Sequence, residues 1–449
     1  MLDFLIKGAR YPDFKDNQFK TANIGLKDGK IRFIGQEEPR SLKNLEADGK
    51  ILSPGFIDIH MHEENFQNEG EKYVIAEAML QMGVTTAVGG NCGIQRQSIK
   101  RFKETIQTLE GSPINYLMLT GYNHKRYEIG LARYQTASDM QRTLLKHMLE
   151  EELKEGACGI SFGIEYDPGI TKEEIISVLN SFEDKTLLAA AHYRSSTNQS
   201  MTSLEELIAI ADSIPMKFQI SHLSSCSAMG SMDEALQMLD KAMEENSGLD
   251  FDTYPYNAFS TELGSEVFEP GCLERWKKDY DCILLTQEPY KNVRCTEKIF
   301  KEAREKYPDM LAVVFAMNEE EIRKAVACKR GMIASDGILN GGKGHPRAAG
   351  TFPRVLGKYV REEKALSLID ALEKMTLKPA KRLSLDKKGE IALGKDADIV
   401  IFDAEKISDR ADFMENNVAP EGIEYVFVNG QIAVKGKNII NDRLGKFLG

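Results

Sequence analysis

Eight short apolar runs recur through the middle of the chain, separated by stretches of helical character, and this alternation limits the fold more than any other feature. The runs are Phe56–His60, Thr86–Cys92, Tyr116–Gly121, Gly159–Gly163, Leu187–His192, Lys217–His222, Asp250–Tyr254 and Met332–Asp336. Each is too short for a helix and reads as a buried strand. Between them, Glu69–Gln81, Ser138–Lys154, Leu204–Ala211 and Met232–Glu245 carry apolar residues at the period of a helix buried on one face. Strands alternating with helices predict parallel neighbours joined by crossovers, and eight such units predict a (β/α)8 TIM barrel.

Five of the runs end in a group able to bind a metal or carry a proton: His60, Cys92, His192, His222 and Asp336. Active sites of such barrels lie at the carboxyl ends of the strands, so the five are expected on one face. The first belongs to Pro54-Gly55-Phe56-Ile57-Asp58-Ile59-His60-Met61-His62, where strand alternation points His60 and His62 the same way. Two imidazoles so placed suit a divalent metal; they equally suit two polar residues leaving a strand for solvent. Cys92 alone reads as a ligand or as an inert buried thiol. His192 and His222 read as ligands or as hydrogen-bonded core histidines. Asp336, followed by a glycine, reads as a proton carrier or as a turn residue bonded to backbone.

The ends of the chain have a different texture. Residues 1–53 alternate short apolar strands with turns, and Lys27-Asp28-Gly29-Lys30 is a strong hairpin signal. Residues 384–449 read alike, through Asp398–Phe402 and Tyr425–Val434. Neither end has strands enough for a sturdy sheet, so the two are expected to pair into one small β-sandwich domain, with the barrel of residues 54–383 inserted between its halves.

Composition bounds the function. A formal net charge of -11 argues against a nucleic-acid partner. No apolar run approaches the ~18 residues of a membrane span, and the start places Asp3 where a signal peptide carries bases. Seven scattered cysteines fit reduced thiols and a cytoplasmic setting. The expected partner is a small-molecule substrate, and nothing in the sequence points to an oligomeric state.

The motifs add a family resemblance that covers nearly the whole chain. Besides residues 54–62 they are Gly-Asn-Cys-Gly (90–93), Gly-Ile-Glu-Tyr-Asp-Pro-Gly (163–169), Ala-His-Tyr-Arg (191–194), Ile-Ser-His (220–222) and Tyr-Pro-Tyr (254–256). Ser-Asp-Gly (335–337), His-Pro-Arg-Ala-Ala-Gly-Thr-Phe-Pro-Arg (345–354), Ile-Ser-Asp-Arg-Ala (407–411) and Val-Asn-Gly (428–430) follow. In this order and spacing the chain resembles the amidohydrolase superfamily and, within it, the D-aminoacylase branch of N-acyl-D-amino-acid deacylases. The resemblance implies a zinc-dependent hydrolase that cleaves the amide of an N-acyl-D-amino acid with a metal-activated water. It implies a tightly held zinc on Cys92, His192 and His222, and a weaker second position on His60 and His62 that Cys92 can bridge. It implies Asp336 as general base and then acid, Arg347 on the substrate's α-carboxylate, and Tyr166, Tyr254 and Ser260 as hydroxyl partners.

Departures from the pattern carry information too. Sister families place a carboxylated lysine at the end of the fourth strand; Gly159–Gly163 holds none, and Lys154 lies earlier on a helix, which counts against a dihydropyrimidinase or dihydroorotase. Glu63 and Glu64 stand where the branch commonly has an aspartate, and are expected at the mouth. The stretch between Ser260 and Val314 reads as short for the branch's lid. Asn340–Gly344 lacks the frame of a phosphate loop and reads as a flexible lid beside Arg347; His124 and His147 read as surface residues and Cys226 as a loop thiol. Two other functions stay open: hydrolysis of a cyclic amide or related C–N bond on the same barrel, and a non-catalytic scaffold. The presence of every ligand and of Asp336 weighs against the scaffold.

Overall fold

The computed structural model describes residues 1–66, 70 and 72–449. Phe56–Asp58, Val84–Gly89, Asn115–Gly121, Gly159–Gly163, Leu188–His192, Lys217–Ile220, Leu249–Thr253 and Met332–Ile333 form an eight-stranded sheet in chain order, every neighbouring pair parallel. These are the eight expected runs. The first and last strands close the ring through a bridge between Met61 and Gly337. Asp336 N donates to His60 O at 2.8 Å, and His62 N donates to Gly337 O at 2.9 Å.

Strand alternation sorts the side chains. In the fifth strand Leu188 and Ala190 join Val88, Leu119, Met332 and Ala334 in the barrel interior, while Ala189 and Ala191 pack outward under the helices. His192 continues the inward set. The helices expected over Ser138–Lys154 and Met232–Glu245 are present as Asp139–Lys154 and Met232–Glu245, and that over Leu204–Ala211 runs longer, Ser200–Asp212. Ser138 caps its helix reciprocally with Gln141. The helix expected from Glu69 is seen as Val74–Gln81; Glu69 itself lies outside the described residues.

Both termini build one nine-stranded sheet, joined where Ile51–Pro54 pairs antiparallel with Ile399–Phe402. Asp28 and Gly29, at φ 51° and 69°, turn the hairpin that pairs Lys27 with Lys30, as the Asp-Gly signal predicts. One face is the sheet's own core, with Ile24, Leu26, Leu52, Ile399, Ile401 and Phe427. The alternate residues Ile51, Val400, Phe402, Val426 and Val428 face the barrel core. A sheet buried on both faces explains why these strands are continuously apolar rather than alternating.

Between the seventh and eighth strands the chain leaves the barrel. Phe259–Glu262, Ile283–Leu285, Val293–Arg294 and Leu311–Val314 form a four-stranded antiparallel sheet, with its own core around Phe268, Trp276, Phe300 and Val314. The stretch that reads as short for a lid thus builds a small domain over the barrel mouth. No helix among the described residues is long and apolar enough to cross a membrane.

Asp58 ties the barrel seam. Its Oδ1 accepts from Ser335 N at 3.0 Å and His60 N at 3.2 Å, while its buried Oδ2 has no hydrogen-bond partner among the described residues. Burial pushes the carboxyl up to about 6, against the pull of those hydrogen bonds. A carboxyl raised in the folded state binds its proton more readily there than when unfolded, so its stabilising share falls as pH climbs from about 4 through about 6. Asp58→Asn keeps the Oδ1 acceptor and removes the buried charge. In metal-free protein it should melt higher than the parent at alkaline pH, the gap closing toward acid. A lower melting temperature at alkaline pH would contradict this.

Candidate metal centre and its cavity

Three residues at the barrel mouth share an unusual backbone. Cys92, His222 and Asp336 have φ of 55°, 34° and 50°, each just past its strand. Non-glycine residues seldom occupy this region, and they do so where surrounding bonds enforce it. His222 N donates to Asp252 Oδ1 at 2.8 Å. Gly93 N donates to Ser161 Oγ at 2.9 Å, fixing the turn after Cys92. Glu63 accepts from Gly90 N at 2.8 Å and Arg96 N at 3.0 Å. Glu64 accepts from Ile75 N at 2.8 Å and Ala76 N at 2.7 Å, capping the helix Val74–Gln81. Both acids are buried, so they brace loops and do not sit open at the mouth as expected: bonded carboxylates satisfy orphan N–H groups that would otherwise be buried unpaired.

The strand ends bring all five expected ligands together. Cys92, His192 and His222 place one ligand atom each within 4.8 Å of the others, and His60, His62 and Cys92 do the same. Cys92 Sγ is 3.4 Å from His60 Nε2 and 3.5 Å from His222 Nε2. Burial alone would raise the thiol, but His60 and His222 beside it hold Cys92 well below its ordinary value, which favours the thiolate. The proton positions are fixed by partners. Glu165 Oε2 lies 2.8 Å from His192 Nε2, and a carboxylate only accepts, so Nε2 carries hydrogen. Ser225 Oγ donates its one hydrogen to His222 O at 2.9 Å, so at 2.7 Å it accepts from His222 Nδ1. His222 Nε2 and the buried His192 Nδ1, which has no aligned hydrogen-bond partner among the described residues, are then the nitrogens left to serve a metal. Against the pull of burial, Cys92 and Glu165 raise His192 to about 10, so a metal would displace its second proton. A soft thiolate with imidazoles that give up a proton to an entering metal is a donor set suited to zinc.

Asp336 is surrounded by groups that carry or can take positive charge. Its Oδ1 lies 3.2 Å from His62 Nε2 and 3.5 Å from His60 Nε2, and its Oδ2 lies 2.9 Å from Arg347 Nη1. Against the opposing effect of burial, Arg347 and the histidines hold it below the usual carboxylate range. Arg347 is almost fully buried, rests over the Tyr254 ring at 4.9 Å and donates from Nη2 to Ser260 O at 3.3 Å. Its backbone N–H donates to His345 Nδ1 at 3.0 Å, while His345 Nε2 donates to Ala258 O at 3.0 Å. Among the described residues Arg347 Nε and Nη1 have no aligned hydrogen-bond partner, and neither do Tyr254 Oη and Ser260 Oγ. Tyr166 packs its ring on His192 at 4.9 Å. Donors and hydroxyls left unsatisfied beside the acid are the mark of a ligand site.

A cavity of about 1000 Å³ opens over these groups, its wall including His62, Cys92, Tyr166, His192, Ser260 and Asp336. Arg347 and Tyr254 stand behind it, reached across Asp336 and Ser260. Residues expected to be uninvolved fall as follows. His147 is exposed beside Glu150, and His124 is at the cavity rim beside Glu128. Cys226 lies buried in the helix Leu223–Ser227, its sulfur 3.7 Å from His222 Nδ1, and is no open loop thiol. Asn340–Lys343 is a tight hairpin at the cavity edge, and Lys154 is exposed beside Glu151. Sequence reasoning missed Glu165, Ser225 and Asp252. The last stands 3.3 Å from His60 Nδ1. Asp252 follows Phe251 in the seventh strand, and its even spacing with Asp250 and Tyr254 was the available signal.

The comparisons with known proteins agree with this geometry. The amidohydrolase family model matches residues 330–434. A D-aminoacylase of Alcaligenes xylosoxydans xylosoxydans is 28% identical over 95% of this chain and 93% of its own. An N-acyl-D-glutamate deacylase of Bordetella bronchiseptica, solved with zinc and a phosphonate mimic of the tetrahedral intermediate, superposes with a TM-score of 0.89 at 27% identity, over 100% and 99% of the two chains. A D-aminoacylase structure concerned with a binuclear metal centre, activated by one metal and attenuated by the second, superposes with a TM-score of 0.88 at 26% identity, over 100% and 99%. By these matches the chain is similar to the amidohydrolase superfamily. Its full length aligns with proteins of the D-aminoacylase branch.

Gly93 tests how tightly the Cys92 turn is built. Its φ is +72°, and a Cβ there would meet Asn123 Oδ1 at 1.8 Å and Gly163 N at 2.7 Å. Gly93→Ala should lower stability by more than the ~1–2 kcal/mol of the left-handed backbone alone, with loss of bound metal. Thermal melting and metal analysis measure both; a variant with parent values would contradict the geometry.

Proposed function

We propose that this chain is a zinc-dependent hydrolase that opens the linear amide of an N-acyl-D-amino acid, releasing a carboxylate and a free D-amino acid. The observation that carries the reading is one thiolate and four imidazoles gathered beside an anionic Asp336 at the floor of a cavity. Relatives along the whole chain with that activity support it. In this reading Cys92, His192 and His222 hold the tight zinc. His60 and His62 form a weaker second position that Cys92 can bridge. Zinc there supplies Lewis acidity toward the amide carbonyl and a more acidic attacking water.

The chain's own groups do the rest. Asp336 takes the proton of the attacking water and passes it to the leaving nitrogen. Its low basicity, set by Arg347, suits a group that must give the proton back. Arg347 receives the substrate's α-carboxylate on the nitrogens that lack aligned partners, and a planar guanidinium fixes orientation as well as charge. Tyr166, Tyr254 and Ser260 contribute hydroxyls. The lid core and Tyr166 exclude water from one side. A cyclic-amide reading lacks the lysine at the fourth strand. The unpaired cysteines support a reducing, cytoplasmic setting.

A panel of N-acyl-D- and N-acyl-L-amino acids with cyclic amides as controls tests the reaction: only D-acyl compounds should turn over, and preference for a cyclic amide would refute it. Arg347→Ala tests the carboxylate contact. Charge-assisted bonds are worth roughly 1.5–3 kcal/mol each, so kcat/KM should fall by tens- to hundreds-fold or more. Arg347→Lys should recover only part. An N-acyl amine lacking the carboxylate should lose much less, the common share being the bracing of Asp336. Equal losses on both substrates would remove the carboxylate role.

A further inference from the structure

We propose that Glu165 is the positioning residue of the tight metal position, acting through His192; this rests on the zinc reading above. The contact is an aligned hydrogen bond of 2.8 Å between Glu165 Oε2 and His192 Nε2. Because the carboxylate has no hydrogen to give, it holds the proton at Nε2 and leaves Nδ1 as the nitrogen that can serve a metal. That Nδ1 is buried with no aligned hydrogen-bond partner among the described residues, on a ring whose ligand atom lies within 4.8 Å of those of Cys92 and His222. Ring contacts with Tyr166 at 4.9 Å and His222 at 4.5 Å limit the tilt of the imidazole. They do not distinguish its two faces, and the carboxylate does.

The other imidazoles are held differently. His222 Nδ1 rests on the neutral hydroxyl of Ser225, and His60 Nδ1 on the buried Asp252 at 3.3 Å without an aligned hydrogen bond. His192 thus has the strongest anchor of the set, and a carboxylate partner also raises the basicity of a ligating histidine. Glu165 sits on the cavity wall with its side chain 17% exposed, so it can be replaced without opening the core. It adjoins Tyr166 in the turn after the fourth strand, where Tyr166 N and Asp167 N both donate to Gly163 O at 3.1 and 3.2 Å. One turn therefore carries both a metal anchor and a proposed substrate hydroxyl.

Zinc dissociation constants by chelator competition on the purified full chain test this, with kcat and KM measured alongside. Glu165→Ala should weaken zinc about 10–100-fold, with an unchanged melting temperature in the metal-free form. Glu165→Gln keeps an acceptor oxygen at the same reach and should restore most of that affinity. Zinc affinity of Glu165→Ala within about twofold of the parent would overturn the proposal. So would unchanged zinc affinity with a raised KM, which would make Glu165 a substrate contact instead. A parent protein that binds no zinc would refute the metal reading itself, an outcome distinct from a parent that binds zinc with indifference to residue 165.

Discussion

Cys92 puts a soft anion at the centre of the barrel mouth, within 3.4 Å of His60 Nε2 and 3.5 Å of His222 Nε2. A buried thiolate is costly unless cations or a metal neutralise it, and much of the surrounding structure answers that requirement. The second strand delivers the sulfur on a left-handed residue. Ser161 from the fourth strand and Glu63 from the segment after the first fix the backbone on either side of it. The fifth and sixth strands deliver His192 and His222, each with its outer nitrogen already bonded. Holding ligands by packing and outer hydrogen bonds leaves little to reorganise when a metal enters.

The same requirement orders the acid. Asp336 would repel the thiolate if it faced it alone, yet His60, His62 and Arg347 lie between the two charges or beside them. The proposed base is therefore anionic throughout the neutral range and weak. That division of labour fits a site in which acidity of the water comes from a metal and the carboxylate only carries the proton.

The barrel was legible because its signal is periodic: short apolar runs cannot be helices, and the residue closing each run projects at the carboxyl end. His60, Cys92, His192, His222 and Asp336 were found that way, and all reach one site. Glu63 and Glu64 were misplaced because a charged pair in a sequence looks solvated. Only the fold shows the orphan N–H groups of Gly90, Arg96, Ile75 and Ala76 that they satisfy. Glu165 and Asp252 were missed because an outer partner has no spacing rule; it is defined by which ring nitrogen it happens to reach. The lid was underestimated because three of its strands are three or four residues long and the other is just two, below what alternation can reveal.

Zinc content of Cys92→Ala is the most direct test of the central claim, because that substitution removes the thiolate and leaves every imidazole in place. The parent, isolated without added metal, should carry roughly one tightly held zinc per chain, resistant to mild chelation. Cys92→Ala should fold, carry little or none, and lose hydrolysis of N-acyl-D-amino acids. Parent-level zinc in the folded variant would contradict the account, since the metal would then be held by some other set of groups.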